Sequence, residues 1–237
     1  MSKVYFAGAG PGDPGLITVK SMDLINSADL LIYAGSLVNP ELVEKAEAKV
    51  KLDSQHMSLE ELTEAMVNCA RQGKLVVRLH SGDPSIYGAI VEQIAELKKH
   101  NVTAEVIPGV SSMFAAAAAL NTQLTLKGIS ESVIVTRPAG ATLENDRIRE
   151  FSRTDATLVI FLGAEKIAEI MQKLECPSET PVAVIYHASW PDQKVVRGTV
   201  ADIAGKAKAA GIEKTALIVV GGAVDPMHAY KRSVLYS

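Results

Sequence analysis

The stretch Gly8-Ala9-Gly10-Pro11-Gly12-Asp13-Pro14-Gly15 follows the apolar run Val4-Tyr5-Phe6-Ala7. An apolar run ending in a glycine- and proline-rich turn reads as a strand that leads into a helix. The turn looks like a dinucleotide-binding loop, but its residues exclude one. A Gly-x-Gly-x-x-Gly loop needs its third glycine at position 13, which is Asp13 here. A carboxylate there repels a phosphate at a helix N-terminus. Pro11 removes an amide that would help to cradle the phosphate. The acidic residue expected about 20 residues further on to hold a ribose is also missing, because Asp29-Leu30-Leu31-Ile32-Tyr33 ends in Ala34-Gly35-Ser36. The loop is tight, lets a ligand approach the backbone, and is hostile to phosphate. Read locally, Asp13 is an N-cap and Pro14 opens the helix.

Outward from this loop, the first half alternates strands and helices. Strand-like runs fall at Val4–Ala7, Leu30–Tyr33, Leu75–Leu79 and Ala104–Ile107. Leu59, Leu62, Met66 and Cys69 recur at helical spacing behind the capping box Ser58-x-x-Glu61, and Ile86, Ile90, Ile94 and Leu97 form a second stripe. Such alternation predicts a mostly parallel sheet with helices on both faces, and ligands gather at the carboxyl ends of its strands. The pattern changes near Asn121–Gly128. Strand-like runs are then denser: Ser132–Thr136, Thr157–Leu162, Val182–His187, Lys194–Arg197 and Ala216–Val220. Residues 188–193 suit a hairpin turn. Helical stripes occur at Ile167, Ile170, Leu174 and at Val200, Ile203, Ala207. The fold class expected is α/β, with two α/β domains: residues 1–120 with a mostly parallel sheet and residues 121–237 with a mixed one. The cleft between the domains is the default ligand site.

With 237 residues, the chain has room for one large or two modest domains. A formal net charge of −3 shows none of the basic excess typical of nucleic-acid binding. Cys69 and Cys176 have no zinc-like spacing with histidine, so no metal site is expected. No signal pattern appears, and no apolar run approaches the roughly 18 residues that span a membrane, so a cytoplasmic protein is expected.

Two further loops carry chemistry. Arg78-Leu79-His80-Ser81-Gly82-Asp83-Pro84-Ser85-Ile86-Tyr87-Gly88 closes the third strand-like run, with Asp83 and Pro84 read as a helix start. Ile107-Pro108-Gly109-Val110-Ser111-Ser112 closes the fourth. Three Gly- and Pro-rich loops at one sheet edge predict a pocket formed largely by backbone atoms.

With these loops, the chain resembles the tetrapyrrole (corrin/porphyrin) methylase family over nearly its whole length. The shared motifs are Gly8-x-Gly10-Pro11-Gly12-Asp13, Gly82-Asp83-Pro84 and Pro108-Gly109-Val110-Ser111-Ser112. Residues 33–38, 78–88, 136–140, 187–192 and 197–204 are similar to the family's precorrin-4 C11-methyltransferases. Ala34 stands where uroporphyrinogen methylases of the family carry an aspartate. One departure is Ala141-Thr142-Leu143-Glu144-Asn145, where the subgroup continues with an arginine and a Pro-rich stretch.

The resemblance implies a homodimer that binds S-adenosyl-L-methionine, releases S-adenosyl-L-homocysteine, and methylates a tetrapyrrole corrin precursor, with no nucleic-acid or membrane partner. The cofactor contacts it implies are Pro11, Ser81, Gly82, Asp83, Ile86, Tyr87, Ser111 and Ser112, then Phe161, Leu162, Ala188, Thr215, Ala216 and Leu217. Ser36, His80, Arg137 and His187 are the substrate-facing candidates. Lys127, Lys194 and Arg197 join Arg137 as cations available to substrate carboxylates. No catalytic residue is assigned. A sulfonium cofactor has no phosphate, so Pro11 and Asp13 are no handicap. The positive charge on sulfur disappears during transfer, so a carboxylate beside it would favour the ground state. Asp83 is accordingly expected to cap or to contact ribose. The alternatives are another methylase of this fold, such as another precorrin methyltransferase or a diphthine synthase, and, against the loop chemistry, a nicotinamide-dependent oxidoreductase.

Overall fold

The computed structural model describes residues 2–35 and 37–225. The chain folds as two compact units, Met1–Ser112 and Met113–Ser237. In the first, five strands form a wholly parallel sheet: β1 (Lys3–Gly8), β2 (Leu30–Tyr33), β3 (Val50–Asp53), β4 (Val76–His80) and β5 (Thr103–Ile107), in the order β3-β2-β4-β1-β5. Parallel strands covered on both faces read as continuous apolar runs, which is why β1 and β4 stand out in the sequence. Helices α1 (Val19–Ser27) and α2 (Pro40–Lys45) cover one face, with Ile25 and Leu42 packed in one core with Ala7, Leu31, Val77 and Leu79. Helices α3 (Leu59–Arg71) and α4 (Ile90–Lys99) cover the other, where Leu62, Met66 and Leu97 share a core with Val4, Phe6, Ile32 and Val76.

The second unit has strands β6 (Val133–Thr136), β7 (Thr157–Ile160), β8 (Pro181–Tyr186), β9 (Lys194–Thr199) and β10 (Ala216–Val220), ordered β6-β7-β10-β8-β9. Only β6 and β7 run parallel, so the sheet is mixed. The expected hairpin joins β8 to β9, with Tyr186 opposite Lys194. Helices α6 (Ile148–Phe151), α7 (Ile167–Lys173) and α8 (Ile203–Ala209) contribute Ile148, Ile170 and Ile203 to one core. On the other face lies α5 (Ser112–Ala119).

The boundary falls at 112/113, not at the expected 120/121. Ala115, Ala116 and Ala117 share a core with Val159, Ile185, Leu217 and Val219, so the helix belongs with the second sheet. Small side chains let it sit close to the strands, a contact that local sequence does not reveal. Two other expectations are corrected. Pro14–Leu16 is only one 3-10 turn, and the helix proper begins at Val19, capped by Thr18. Ile86 lies in a turn, outside the helix that begins at Ile90. Among the described residues, no helix is long and apolar enough to cross a membrane, and no group of three or more His, Cys, Asp or Glu could hold a metal ion.

Candidate active site

In the first unit β1 and β4 are neighbours, yet the chain leaves them toward opposite faces, to α1 and to α4. At such a topological switch, open α/β sheets place their ligand crevice outside the strands' carboxyl ends. Backbone bonds join the two loops there. Ala9 N donates to His80 O at 2.7 Å, Gly82 N to Gly10 O at 2.8 Å, and Gly10 N to Gly82 O at 3.3 Å. The loop after β5 closes on both. A methyl group on Gly8 would sit 2.5 Å from Gly109 Cα, and one on Gly109 would sit 2.2 Å from Gly82 O. Gly8, Gly82 and Gly109 therefore meet backbone to backbone, and no side chain fits among them. The three loops converge as the sequence predicts.

Asp83 is committed to this structure. Its Oδ2 accepts from Gly109 N at 2.8 Å, and its Oδ1 accepts from Ser85 N at 2.8 Å and from the Ser85 hydroxyl. Burial pushes its carboxyl up, but the Ser85 hydroxyl and the Gly109 and Ser85 amides outweigh it and hold the group below its ordinary 3.8. The carboxylate thus ties the second loop to the third. Asp13 caps its own turn, accepting from Gly15 N at 2.7 Å. Asn39 was not singled out in the sequence. It caps α2 by accepting from Glu41 N, and its Nδ2 donates to Gly12 O at 2.8 Å, fixing the first loop. The Asn-Pro step at 39–40 is an N-cap signature, but its second bond is visible only in three dimensions.

Pro11, Ser81, Gly82, Ile86, Tyr87, Ser111 and Ser112 lie in or beside these loops. Tyr87 is exposed and has a left-handed backbone, φ 54°. His80 ends β4 and is buried. Burial, and then the Arg78 charge, push its imidazole down to about 3, so it is neutral at physiological pH. Ser36 lies outside the described residues.

In the second unit the remaining candidates also collect at one sheet edge. Ile160 pairs with Ile218, Tyr186 pairs with Ala216, and His187 N donates to Thr215 O at 3.2 Å. This places Phe161, Leu162, Ala188, Thr215, Ala216 and Leu217 at neighbouring strand ends. Phe161 N donates to Thr136 O, bringing Arg137 to the same edge. Leu162, His187, Ser189 and Thr215 all have positive φ, between 46° and 74°. Left-handed backbone is strained for a leucine or a threonine, and such strain concentrates where function requires it. Leu162 is also 64% exposed. His187 is stacked between Tyr186 (3.8 Å) and Trp190 (4.7 Å), with Nδ1 2.9 Å from Asp192 Oδ1. That contact holds the Asp192 carboxyl below its usual range.

The structure revises the cation candidates. Arg137 donates to Thr142 Oγ1 at 2.6 Å and to Thr142 O at 2.9 Å, so the departing segment 141–145 supplies its partner. Arg197 is a structural clamp, donating to the carbonyls of Val224 and Leu120. Lys194 reaches the Ala210 carbonyl and lies over the Tyr186 ring, while Lys127 sits in an exposed turn.

A family model described as Tetrapyrrole (Corrin/Porphyrin) Methylases matches residues 3–204, and the chain belongs to that family. It is 52% identical to a cobalt-precorrin-4 C(11)-methyltransferase of Methanocaldococcus jannaschii, over 99% of this chain and 92% of that one. Among solved structures, that of a cobalt precorrin-4 methyltransferase, a cobalamin biosynthetic enzyme, has a TM-score of 0.91 and 42% identity, covering 95% of this chain and 97% of that one. A uroporphyrin-III C-methyl transferase from Thermus thermophilus, complexed with S-adenosyl homocysteine, has a TM-score of 0.82 and 28% identity, covering 98% and 96%.

Proposed function

We propose that the protein is an S-adenosylmethionine-dependent C-methyltransferase that methylates carbon 11 of precorrin-4 or cobalt-precorrin-4, a step in cobalamin biosynthesis. The observation that carries the reading is the 52% identity across 99% of the chain to an enzyme of that name. The crevice chemistry supports it. The Gly8, Gly82 and Gly109 backbones leave a close-approach wall. The Asp83 carboxylate is engaged by Ser85 and Gly109 within the loops, which suits a structural role better than a charge set beside the sulfur.

When bound, the cofactor supplies an electrophilic methyl group. The chain's part is to bind and orient. In the first unit we assign cofactor contact to Pro11, Ser81, Gly82, Asp83, Ile86, Tyr87, Ser111 and Ser112. In the second we assign contact with the same class of ligand to Phe161, Leu162, Ala188, Thr215, Ala216 and Leu217. Ser36, His80, Arg137 and His187 remain the substrate-facing candidates, and a homodimer is the assembly proposed. In-line transfer needs no protein nucleophile. Positioning two reactants lowers a barrier by roughly 7–11 kcal/mol in favourable cases.

The direct test incubates the protein with S-adenosylmethionine and precorrin-4, with and without cobalt, and weighs the product. A gain of one methyl at carbon 11, with S-adenosylhomocysteine formed in equal amount, is expected. No gain on either substrate would sink the reading. Gly82→Val is expected to abolish S-adenosylhomocysteine binding in calorimetry while the circular dichroism of the fold persists. Gly82 has a left-handed backbone, φ 63°, and a Cβ there stands in ordinary contact with Ser111 Cα at 3.6 Å, so the valine both strains the turn and fills the space between the loops.

A further inference from the structure

Strand β4 carries an anomaly. Arg78 is 7% exposed in the middle of a five-stranded sheet, and its Nε and Nη1 are sealed from solvent with no hydrogen-bond partner among the described residues. Two residues on, His80 is 8% exposed, and its Nε2 is likewise sealed and unpartnered. Alternate residues of a strand share a face, so the two side chains lie side by side. His80 is the last residue of β4 before the Ser81-Gly82 turn, and it stacks on Phe6 at 5.8 Å.

A buried guanidinium without an anion is strongly destabilising, because desolvation is not repaid. Burial lowers the Arg78 pKa only to about 10, which leaves it charged at neutral pH. The carboxylate whose charge it feels is Asp53, and Asp53 Oδ1 already accepts from Gly35 N and Gln55 N. Among the described residues the fold therefore supplies the cation with no carboxylate in direct contact, Asp53 acting on it only through its charge. Its position, two residues inside the carboxyl edge of the sheet, is within reach of an arginine side chain from the crevice at that edge. The donors present are a planar fork and a neutral imidazole, which suit a carboxylate.

We propose that Arg78, with His80 beside it, is the receptor for a ligand carboxylate at the β1/β4 crevice. This rests on the methyltransferase reading, under which both ligands carry carboxylates: the acidic side chains of the macrocycle and the methionyl end of the cofactor.

The test measures binding of two probes, S-adenosylhomocysteine and an octacarboxylate porphyrin, to wild type, Arg78→Met and Arg78→Lys. A lost hydrogen-bonded charge contact weakens affinity on the order of 10- to 100-fold. That loss in Arg78→Met for the porphyrin alone assigns the carboxylate to the macrocycle. Loss for S-adenosylhomocysteine alone assigns it to the cofactor. Both affinities within twofold of wild type, in a folded variant, overturn the proposal. Equal losses for both probes also overturn it, because Arg78 is then a strut of the crevice. Should Arg78→Met fail to fold, Arg78→Lys decides. It keeps the charge without the fork, and a several-fold loss for one probe is expected, against no change. Wild type that binds both probes but methylates no precorrin-4 overturns the functional reading and leaves the receptor standing.

Discussion

Gly109 is constrained more tightly than its place in a loop suggests. A single added methyl meets the Gly82 carbonyl at 2.2 Å and Gly8 Cα at 2.7 Å, and both are backbone atoms that cannot rotate away. Gly109→Ala is therefore expected to destabilise the protein by about 1–3 kcal/mol, as overpacking does, and chemical denaturation will read it. His80 makes a prediction of a different kind. Its folded pKa, about 3, lies below the ordinary 6.5, so the unfolded chain takes up the proton first as pH falls. Its contribution is present in full above about pH 6.5 and is lost progressively toward pH 3. Asp83 acts in the same direction but lower. Its depressed pKa contributes stability above 3.8 that disappears as pH falls through the folded value. The melting temperature should drop on acidification from pH 6.5, and His80→Gln should flatten the slope between pH 6.5 and 4. An unchanged slope would show that His80 reaches solvent. At this scale the types of the loop residues were legible: small, phosphate-hostile and clustered. The bond from Asp83 to Gly109 was not, because it spans 26 positions and depends on where the two strands lie.

Among the elements, the capping box at the start of α3 was read directly from Ser58 and Glu61, and the structure forms both of its bonds. Ser58→Ala should cost about 1 kcal/mol, measured by thermal or chemical unfolding. Helix α8 offers the opposite experiment. Gly205 is exposed within it, and a Cβ there meets nothing within 4 Å. Gly205→Ala should stabilise by roughly 0.5–1 kcal/mol, because it removes backbone freedom from the unfolded chain and raises helix propensity. Elements that alternate or repeat apolar residues strongly were legible. Strand β3 was not, because Val50-Lys51-Leu52-Asp53 is a polar edge strand, largely exposed. Its pairing with β2 comes from backbone hydrogen bonds that carry no sequence signal. The helix start assigned to Asp83-Pro84 was misplaced for a related reason. Asp83 does cap, but it caps a turn, and α4 waits until Ile90.

For the whole molecule, cofactor binding should appear as stability. A ligand that binds only the folded state at 100 times its dissociation constant adds about 2.7 kcal/mol. S-adenosylhomocysteine should therefore raise the melting temperature in a concentration-dependent way, and NAD should leave it unchanged. A shift with NAD and none with S-adenosylhomocysteine would reverse the reading of Pro11 and Asp13. What residue order alone settled was local and periodic: the α/β alternation, the parallel first sheet, the β8–β9 hairpin and the chemical character of the first loop. Each follows from propensity, amphipathic spacing or the donors a residue type lacks. Three dimensions decided which groups meet. They assigned the alanine helix α5 to the second unit, set Arg137 beside Thr142 and Arg197 on structural carbonyls, and sealed Arg78 Nε and Nη1 inside a sheet with no hydrogen-bond partner among the described residues. The reason is common to all three: packing, desolvation and long-range hydrogen bonds are properties of neighbours in space, and the order of residues along a chain does not name those neighbours.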